Sequence, residues 1–532
     1  MPVMVEAAER DMAREYGTRP PPAGRRRRQA LRDNARMTSL RALCLSLVVA
    51  LAACAPPPAA SPVTLAVVNA VVWTGDPARP EAQAVAVNGD RIVAVGTSDE
   101  IRAMAGAAVV IDARGQFVTP GFIDSHVHFL DGGARLASVQ LRDARTPEEF
   151  TARIAAFAKT VAPGTWITGG DWDHQNWGGR QPERAWIDAV TPDHPVWVNR
   201  LDGHMALANT AALTAAGVTR AVSDVAGGEI VRDGRGELTG LLKDNAMGLV
   251  DAKMPPPDAA AQDRALAAAM AYVNQQGVTS VHHMGAWPDL DAFDRARKAG
   301  TLSTRIHAAV PLDTWERLAA AVRARTYGGA DGRGDHWLKV GNLKGFVDGS
   351  LGSHTAAMHE PFTDAPADRG LFVTTPEQLY AWTKGADAAG LQVSVHAIGD
   401  RAIATQLDVF DRVAREHGRR DRRFRIEHAQ HPAAADIPRF AALGVIASMQ
   451  PYHAIDDGRW AEKVIGARIA TTYAFRSMLD AKVGLAFGSD WFVAPPTPLE
   501  GIYAAVTRRT LDDRNPDGWV PAQKIAVEEA LV

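Results

Sequence analysis

The residues best equipped for chemistry in this sequence are two histidines, His126 and His128, closing the run Gly121-Phe122-Ile123-Asp124-Ser125. In a strand, residues i and i+2 share a face, so both imidazoles can turn toward one point. Neutral imidazole is a common ligand for zinc and similar ions. Alone, the pair could equally be two polar residues at a strand end. Its weight comes from partners placed the same way downstream. His396 ends the apolar run Leu391–His396, and His428 ends Phe424–His428. Asp490 follows Val483–Gly488, and Lys344 stands in Leu338–Val347, just ahead of Asp348-Gly349-Ser350. Four histidines, a lysine and an aspartate near the ends of separate apolar runs predict a metal site.

The runs also predict the scaffold. From about residue 264, helical stretches such as Ala259–Gln275 and Glu377–Ala389 alternate with apolar segments. These are Val278–His283, Arg305–Val310, Leu338–Val347, Leu391–His396, Phe424–His428, Val445–Met449 and Val483–Gly488; Phe122–His126 makes eight. Repeated strand–helix units imply a parallel sheet, and eight imply an α/β fold of the (β/α)8 barrel type, with its chemistry at the C-terminal strand ends. A doubly wound open sheet is the weaker alternative, since no Gly-rich phosphate loop follows the first strand. Residues 63–119 read as a small β unit, with Asn88-Gly89-Asp90 as a hairpin turn and short strands at Val109–Asp112 and Gln116–Thr119. The barrel is expected over 120–532, with a long insertion at 130–270 carrying strands Trp166–Gly170 and Val196–Arg200. That insertion is rich in aromatic and polar residues, including Asp171-Trp172-Asp173-His174 and Asp202-Gly203-His204. A loop-rich insertion after the first metal strand lies where substrate enters, although each of these residues could also serve packing or the surface.

The lysine needs its own account, because an ammonium repels a metal and is rarely buried unpaired. A neutral Lys344 amine can capture carbon dioxide as a carbamate, whose two oxygens can bridge two metals. The structural alternative is a salt bridge to Asp348. Lys339 lies on the same run, but with opposite parity and nearer its start.

The 532 residues are 46% hydrophobic with a formal charge of −3, enough for a large core and without the basic excess of a nucleic-acid binder. Cysteine occurs only at positions 44 and 54, so the body holds no disulfide framework or cysteine metal site. Residues 1–36 read as a disordered leader, upstream of a second start at Met37. Met37–Cys54 resembles a bacterial secretory signal. Its end, Leu51-Ala52-Ala53-Cys54, resembles a lipoprotein processing box, with 55–62 as a tether. An ordinary signal cleaved near Ala60 is the alternative. The expected location is the periplasm or the envelope, with membrane contact only through an N-terminal lipid.

Taken together, Pro120-Gly-Phe-Ile-Asp-Ser-His-Val-His128, Lys344-Gly-Phe-Val-Asp-Gly-Ser-Leu-Gly352, His396-Ala-Ile-Gly-Asp400, Ile426-Glu-His428 and Gly488-Ser-Asp-Trp491 resemble, in order, the family 3 branch of the amidohydrolase superfamily. That branch includes N-substituted formamide deformylases. The resemblance runs from about Val63 onward. It implies a (β/α)8 barrel, a composite β-sandwich built from both chain ends, and a binuclear site with two divalent ions, zinc by expectation. His126, His128 and Asp490 would hold one ion, His396 and His428 the other, and carboxylated Lys344 would bridge. Trp172, Asp202, His204 and Trp491 would touch substrate, as would His354, which stands where relatives carry arginine. The sequence ends as Val527–Leu531 opens what resembles the last barrel helix, so the C-terminal sandwich strands are expected to be absent.

The resulting expectation is a hydrolase of a non-peptide C–N bond in a small amide-type substrate. Metals lower the pKa of a bound water, Asp490 takes and returns the proton, and His204 steadies the oxyanion. A mononuclear deaminase and a catalytically silent binding protein are the alternatives; the second should lack a ligand, and none is missing. A homo-oligomer is compatible with all of this.

Overall fold

The computed structural model describes residues 62–531. The leader, the signal-like run, the Cys54 box and all of the tether but Pro62 lie outside the described residues. The chain divides after Thr119 into two compact units.

The larger unit is built on eight parallel strands in chain order. They are β1 (Phe122–Val127), β2 (Val278–Met284), β3 (Arg305–Pro311), β4 (Leu338–Phe346), β5 (Gln392–Ala397), β6 (Arg425–His428), β7 (Ile446–Met449) and β8 (Leu485–Phe487). Their sequences are near-continuous apolar runs because both faces are covered; in β5 every residue after Gln392 is buried. The helices show the complementary pattern. Ala259–Gln275 starts on the Asp258 side chain, which accepts the Ala261 amide, and buries Leu266, Ala269, Met270 and Val273 at helical spacing.

The ring closes just beyond β8. The Asp490 amide donates to the His126 carbonyl at 2.7 Å, and the His128 amide to the Trp491 carbonyl at 2.6 Å. A Cβ at Gly488 would come within 2.6 Å of the His126 nitrogen, so only glycine permits this approach. Asp124 completes the seam by accepting from the Ser489 amide at 2.9 Å and hydroxyl at 2.5 Å.

The insertion is narrower than the sequence suggests. Its first flank, helix Phe129–Arg135, packs on Ala259–Gln275 so closely that a Cβ at Gly133 would lie 2.1 Å from the Ala265 carbonyl oxygen. Both flanks are therefore barrel-wall helices. Between them stands a mixed six-stranded sheet in the order Gly228–Arg232, Leu238–Asp244, Met205–Ala208, Val196–Arg200, Ile167–Trp172, Val139–Gln140.

The smaller unit holds two sheets. One has the order Arg91–Gly96, Ala84–Asn88, Leu65–Val68, Val109–Asp112; the other has Glu81–Ala82, Val71–Trp73, Phe117–Val118. The expected hairpin forms, with Asn88 paired to Arg91 around Gly89 at φ +58°. The run Leu65–Val72 is not one strand. It breaks at Asn69, whose φ of +55° carries the chain from one sheet to the other. Among the described residues no helix is long and apolar enough to cross a membrane.

Candidate metal centre

The C-terminal strand ends bring His126, His128, Lys344, His396, His428 and Asp490 to one cavity of about 260 Å³, with His126 buried just beneath its wall. Asp490 is the hub. Its Oδ1 lies 3.3 Å from His126 Nε2 and 3.4 Å from His128 Nε2, and Oδ2 lies 3.9 Å from His428 Nδ1. No helix begins at Asp490; the next, Pro498–Thr507, starts after Thr497. The backbone at Asp490 is left-handed, at φ +60°, between its two seam hydrogen bonds.

Hydrogen bonds behind the ring fix which nitrogen faces the centre. His126 Nδ1 donates to Glu427 Oε2 at 2.6 Å, leaving Nε2 with the lone pair. Glu427 is held from behind by Arg425, 2.7 Å from Oε1 and 3.0 Å from Oε2. Burial alone would raise the Glu427 carboxyl, but Arg425 and His126 hold it well below the usual range. His428 Nδ1 lies 2.9 Å from Gln450 Oε1, which fixes that ring in the same way. Such outer partners orient ligating imidazoles and set their tautomers.

Burial dominates the electrostatics. It pushes His126 down to about 4, with help from Lys344, and holds His396 and His428 well below their ordinary values, so these imidazoles are neutral near pH 7. Burial would raise Asp490, but His126, His128 and His428 keep it well below the carboxylate range. The centre thus offers neutral nitrogens around an anionic oxygen. Asp490 Oδ1 accepts no hydrogen bond, and the buried His453 Nε2 likewise has none among the described residues. Acceptors facing one another with no proton between them fit a divalent cation.

Two groups have their ligand atoms within 4.8 Å of one another: His126, His128 and Asp490, and His428, His453 and Asp490. The second departs from the sequence expectation. His453 stands beside His428 where His396 was expected, while His396 Nε2 donates to the Gly349 carbonyl at 3.0 Å. The signal was present in the sequence: His453 follows Gln450-Pro451 at the end of β7, a strand end to which no ligand was assigned.

Lys344 is buried, 3.3 Å from His126 Nε2 and 4.9 Å from the Phe346 ring centre. Burial lowers its amine to about 8 against the opposing pull of Glu427 and Asp490. The salt-bridge alternative does not form. Asp348 instead accepts the amides of Ala357, Ile398 and Gly399 at 2.8, 3.0 and 2.9 Å. Lys339 is exposed.

The expected substrate contacts divide. Asp202 and His204 line the cavity. Asp202 is a clamp, taking Arg200 at 2.6 Å, Ser353 at 2.9 Å and the Ser350 hydroxyl. Burial opposes its ionisation, but Arg200 brings it down to about 2. His204 Nδ1 donates to Asp244 at 2.7 Å. Burial would lower His204, yet Asp244 lifts it above the ordinary value. Trp172, Trp491 and His354 stand off the cavity wall. Trp172 lies in the insertion's core, its indole donating to the Val198 carbonyl at 2.9 Å. Trp491 packs on Phe129 and Tyr272 behind β1. His354 pairs with Asp364 at 3.0 Å. Phe492, Leu201 and Trp460 line the cavity instead.

A parallel eight-stranded barrel with histidines and an aspartate gathered at its C-terminal rim is the architecture of a metal-dependent hydrolase. The chain belongs to the amidohydrolase family, whose model matches residues 109–532. It is 38% identical to Protein LONG AFTER FAR-RED 3 of Arabidopsis thaliana, over 90% of this chain and 83% of that protein. Against the putative amidohydrolase YtcJ of Bacillus subtilis (strain 168) the figures are 30% identity, 79% and 79%. A solved metal-dependent hydrolase of uncharacterized function from Pyrococcus horikoshii OT3 superposes with a TM-score of 0.70 at 26% identity, covering 88% of this chain and 90% of that one.

Proposed function

We propose that this hydrolase cleaves a non-peptide C–N bond, of the amide or formamide type, at a binuclear centre. The observation that carries the reading is Asp490, a buried carboxylate shared by two groups of histidines with one oxygen unpartnered. His126, His128 and Asp490 would hold one divalent ion, and His428 with His453 or His396 the other, with carboxylated Lys344 between them. Bound there, divalent ions acidify water and polarise a carbonyl. The chain supplies the rest. Asp490 faces the cavity as a permanent anion, so it can accept the attacking water's proton and pass it to the departing nitrogen. His204, whose basicity Asp244 raises, would act as the donor to the developing oxyanion. Phe346, Leu351, Phe492 and Val493 give that reaction an apolar wall.

A lysine whose amine titrates near 8 is neutral often enough to take up carbon dioxide, which supports the carbamate. The choice of bond draws support from a relative named N-substituted formamide deformylase, from Arthrobacter pascens, 29% identical over 88% of this chain and 87% of its own length. The donation of His396 to Gly349 favours a second reading, a mononuclear centre on the same barrel. The deciding experiment measures hydrolysis of N-acyl, formamide and carbamate compounds by zinc-loaded protein alongside the metal count at saturation. Turnover of amides with two ions per chain supports the proposal. One ion per chain supports the mononuclear reading, and a loaded protein inert toward all three classes overturns the assigned bond. We further propose export as a lipid-anchored protein, from the Leu51–Cys54 sequence; labelled palmitate should enter wild type and not Cys54→Ala.

A further inference from the structure

A second cavity, of about 520 Å³, lies at the N-terminal ends of β5, β6 and β7, far from the rim chemistry. Its lining is rich in guanidinium and imidazole groups. Arg425 and the ring pair His282 and His307, whose centres are 4.9 Å apart, line it together with Arg333, Arg420, Arg422 and Arg423. Three carboxylates balance these five arginines. Asp387 holds Arg420 and Arg422 at 2.5 and 2.8 Å, Asp421 holds Arg423 at 3.0 Å, and Glu427 holds Arg425. Two positive charges remain. The Arg333 guanidinium has no carboxylate within ion-pair distance among the described residues; it donates only to the Gly390 carbonyl, at 2.7 Å.

The charged groups left over are cationic donors. Arg425 donates to His282 Nδ1 at 2.7 Å, so the proton of that ring is on Nε2. The His307 ring has no hydrogen-bond partner among the described residues, although it lines the cavity. A space with surplus positive charge, planar guanidinium forks and unfilled donors matches an oxyanion of two charges. Carboxylates are less well matched, because one carboxylate answers one fork while this cavity presents donors from several sides.

We infer that the basal end of the barrel is a binding site for a phosphate dianion, either free or as the terminus of a small phosphomonoester. Apart from Arg425, which also steadies Glu427 behind His126, its residues take no part in the rim chemistry. The test is isothermal titration of metal-loaded protein with inorganic phosphate and, separately, with AMP, at ionic strength held constant with KCl. Wild type is compared with Arg333→Gln/Arg423→Gln. Any phosphate taken by the metal centre is common to both proteins, so their difference reports the basal cavity. The double variant should bind at least ten-fold more weakly while its phosphate-free turnover is unchanged. Tighter binding of AMP than of phosphate would identify a phosphomonoester, and equal binding the free ion. Identical isotherms for wild type and variant would overturn the inference, as would wild-type binding no stronger than chloride produces. Should the double variant fail to fold, Arg423→Gln alone serves, since that side chain is 71% exposed and can be exchanged without repacking.

Discussion

The two sides of Asp490 are built differently. Toward β1, His126 and His128 are fixed by backbone. They lie on and just past one strand, their main chain is bonded to Asp490 and Trp491, and Glu427 orients the deeper ring. Toward β5–β7, His396 and His428 stand on separate strands, and His453 on the helix that follows β7. There only the Gln450 contact orients a ring toward the centre, and His396 is turned to a carbonyl. The first side is a preformed half-site. The second has three imidazoles and a choice among them, so the second ion of the proposed binuclear centre would be held less tightly.

The largest effect should come from the residue both sides share. Asn at 490 keeps the size and one ligand oxygen but cannot take a proton near pH 7. Asp490→Asn should retain much of its metal and lose on the order of 10²–10⁴ in rate, read as turnover against metal content. Near-normal turnover in a fully metallated variant would remove Asp490 from the proton path. On the preformed side, Glu427→Gln removes the charge behind His126 and should weaken metal binding by about 10–100-fold, measured by competition with a chelating dye. An equal effect on both ions would mean the halves are not separable.

Lys344→Ala tests the element between the halves. It should lower metal content and activity together, with partial recovery when short carboxylic acids are supplied. A variant with full metal content and rate would exclude the bridge. For the looser side, His453→Ala and His396→Ala should each leave the first ion in place, and the one that lowers the second ion's occupancy further names its ligand. The smallest effect concerns Asp457, on the cavity wall, whose carboxyl burial raises to about 7 although it accepts from Tyr473 at 2.6 Å. The folded state therefore holds a proton that the unfolded chain releases near 3.8. Its stabilising contribution is full below that value and is lost as pH rises through about 7. Asp457→Asn should flatten this part of the stability profile in urea melts between pH 5 and 8.

How far the sequence could be read follows the same division. All eight barrel strands and the rim positions of His126, Lys344, His396, His428 and Asp490 were legible, because parallel strands advertise themselves as apolar runs with polar ends. His453 was not, since it lies four residues past a strand, on a helix, where strand logic does not look. Trp172 and Trp491 misled for a related reason. A tryptophan in a motif rich in polar residues reads as a substrate contact, and only packing shows that both are buried away from the cavity. The sign of the basal cavity was also hidden, for its arginines come from two separate stretches of chain, at 333 and at 420–425.

The seam between β1 and the segment after β8 has one more consequence. Ser489 and Asp124 are 365 residues apart, and the hydrogen bonds at this seam close the ring only after all eight strands have emerged. The ion held by His126, His128 and Asp490 would straddle the same seam, like a hoop around staves. Metallation and ring closure then become a single equilibrium, because an ion that binds only the closed ring favours it by mass action. Hydrogen exchange at the His128 and Asp490 amides would register occupancy of the centre as directly as any assay of turnover.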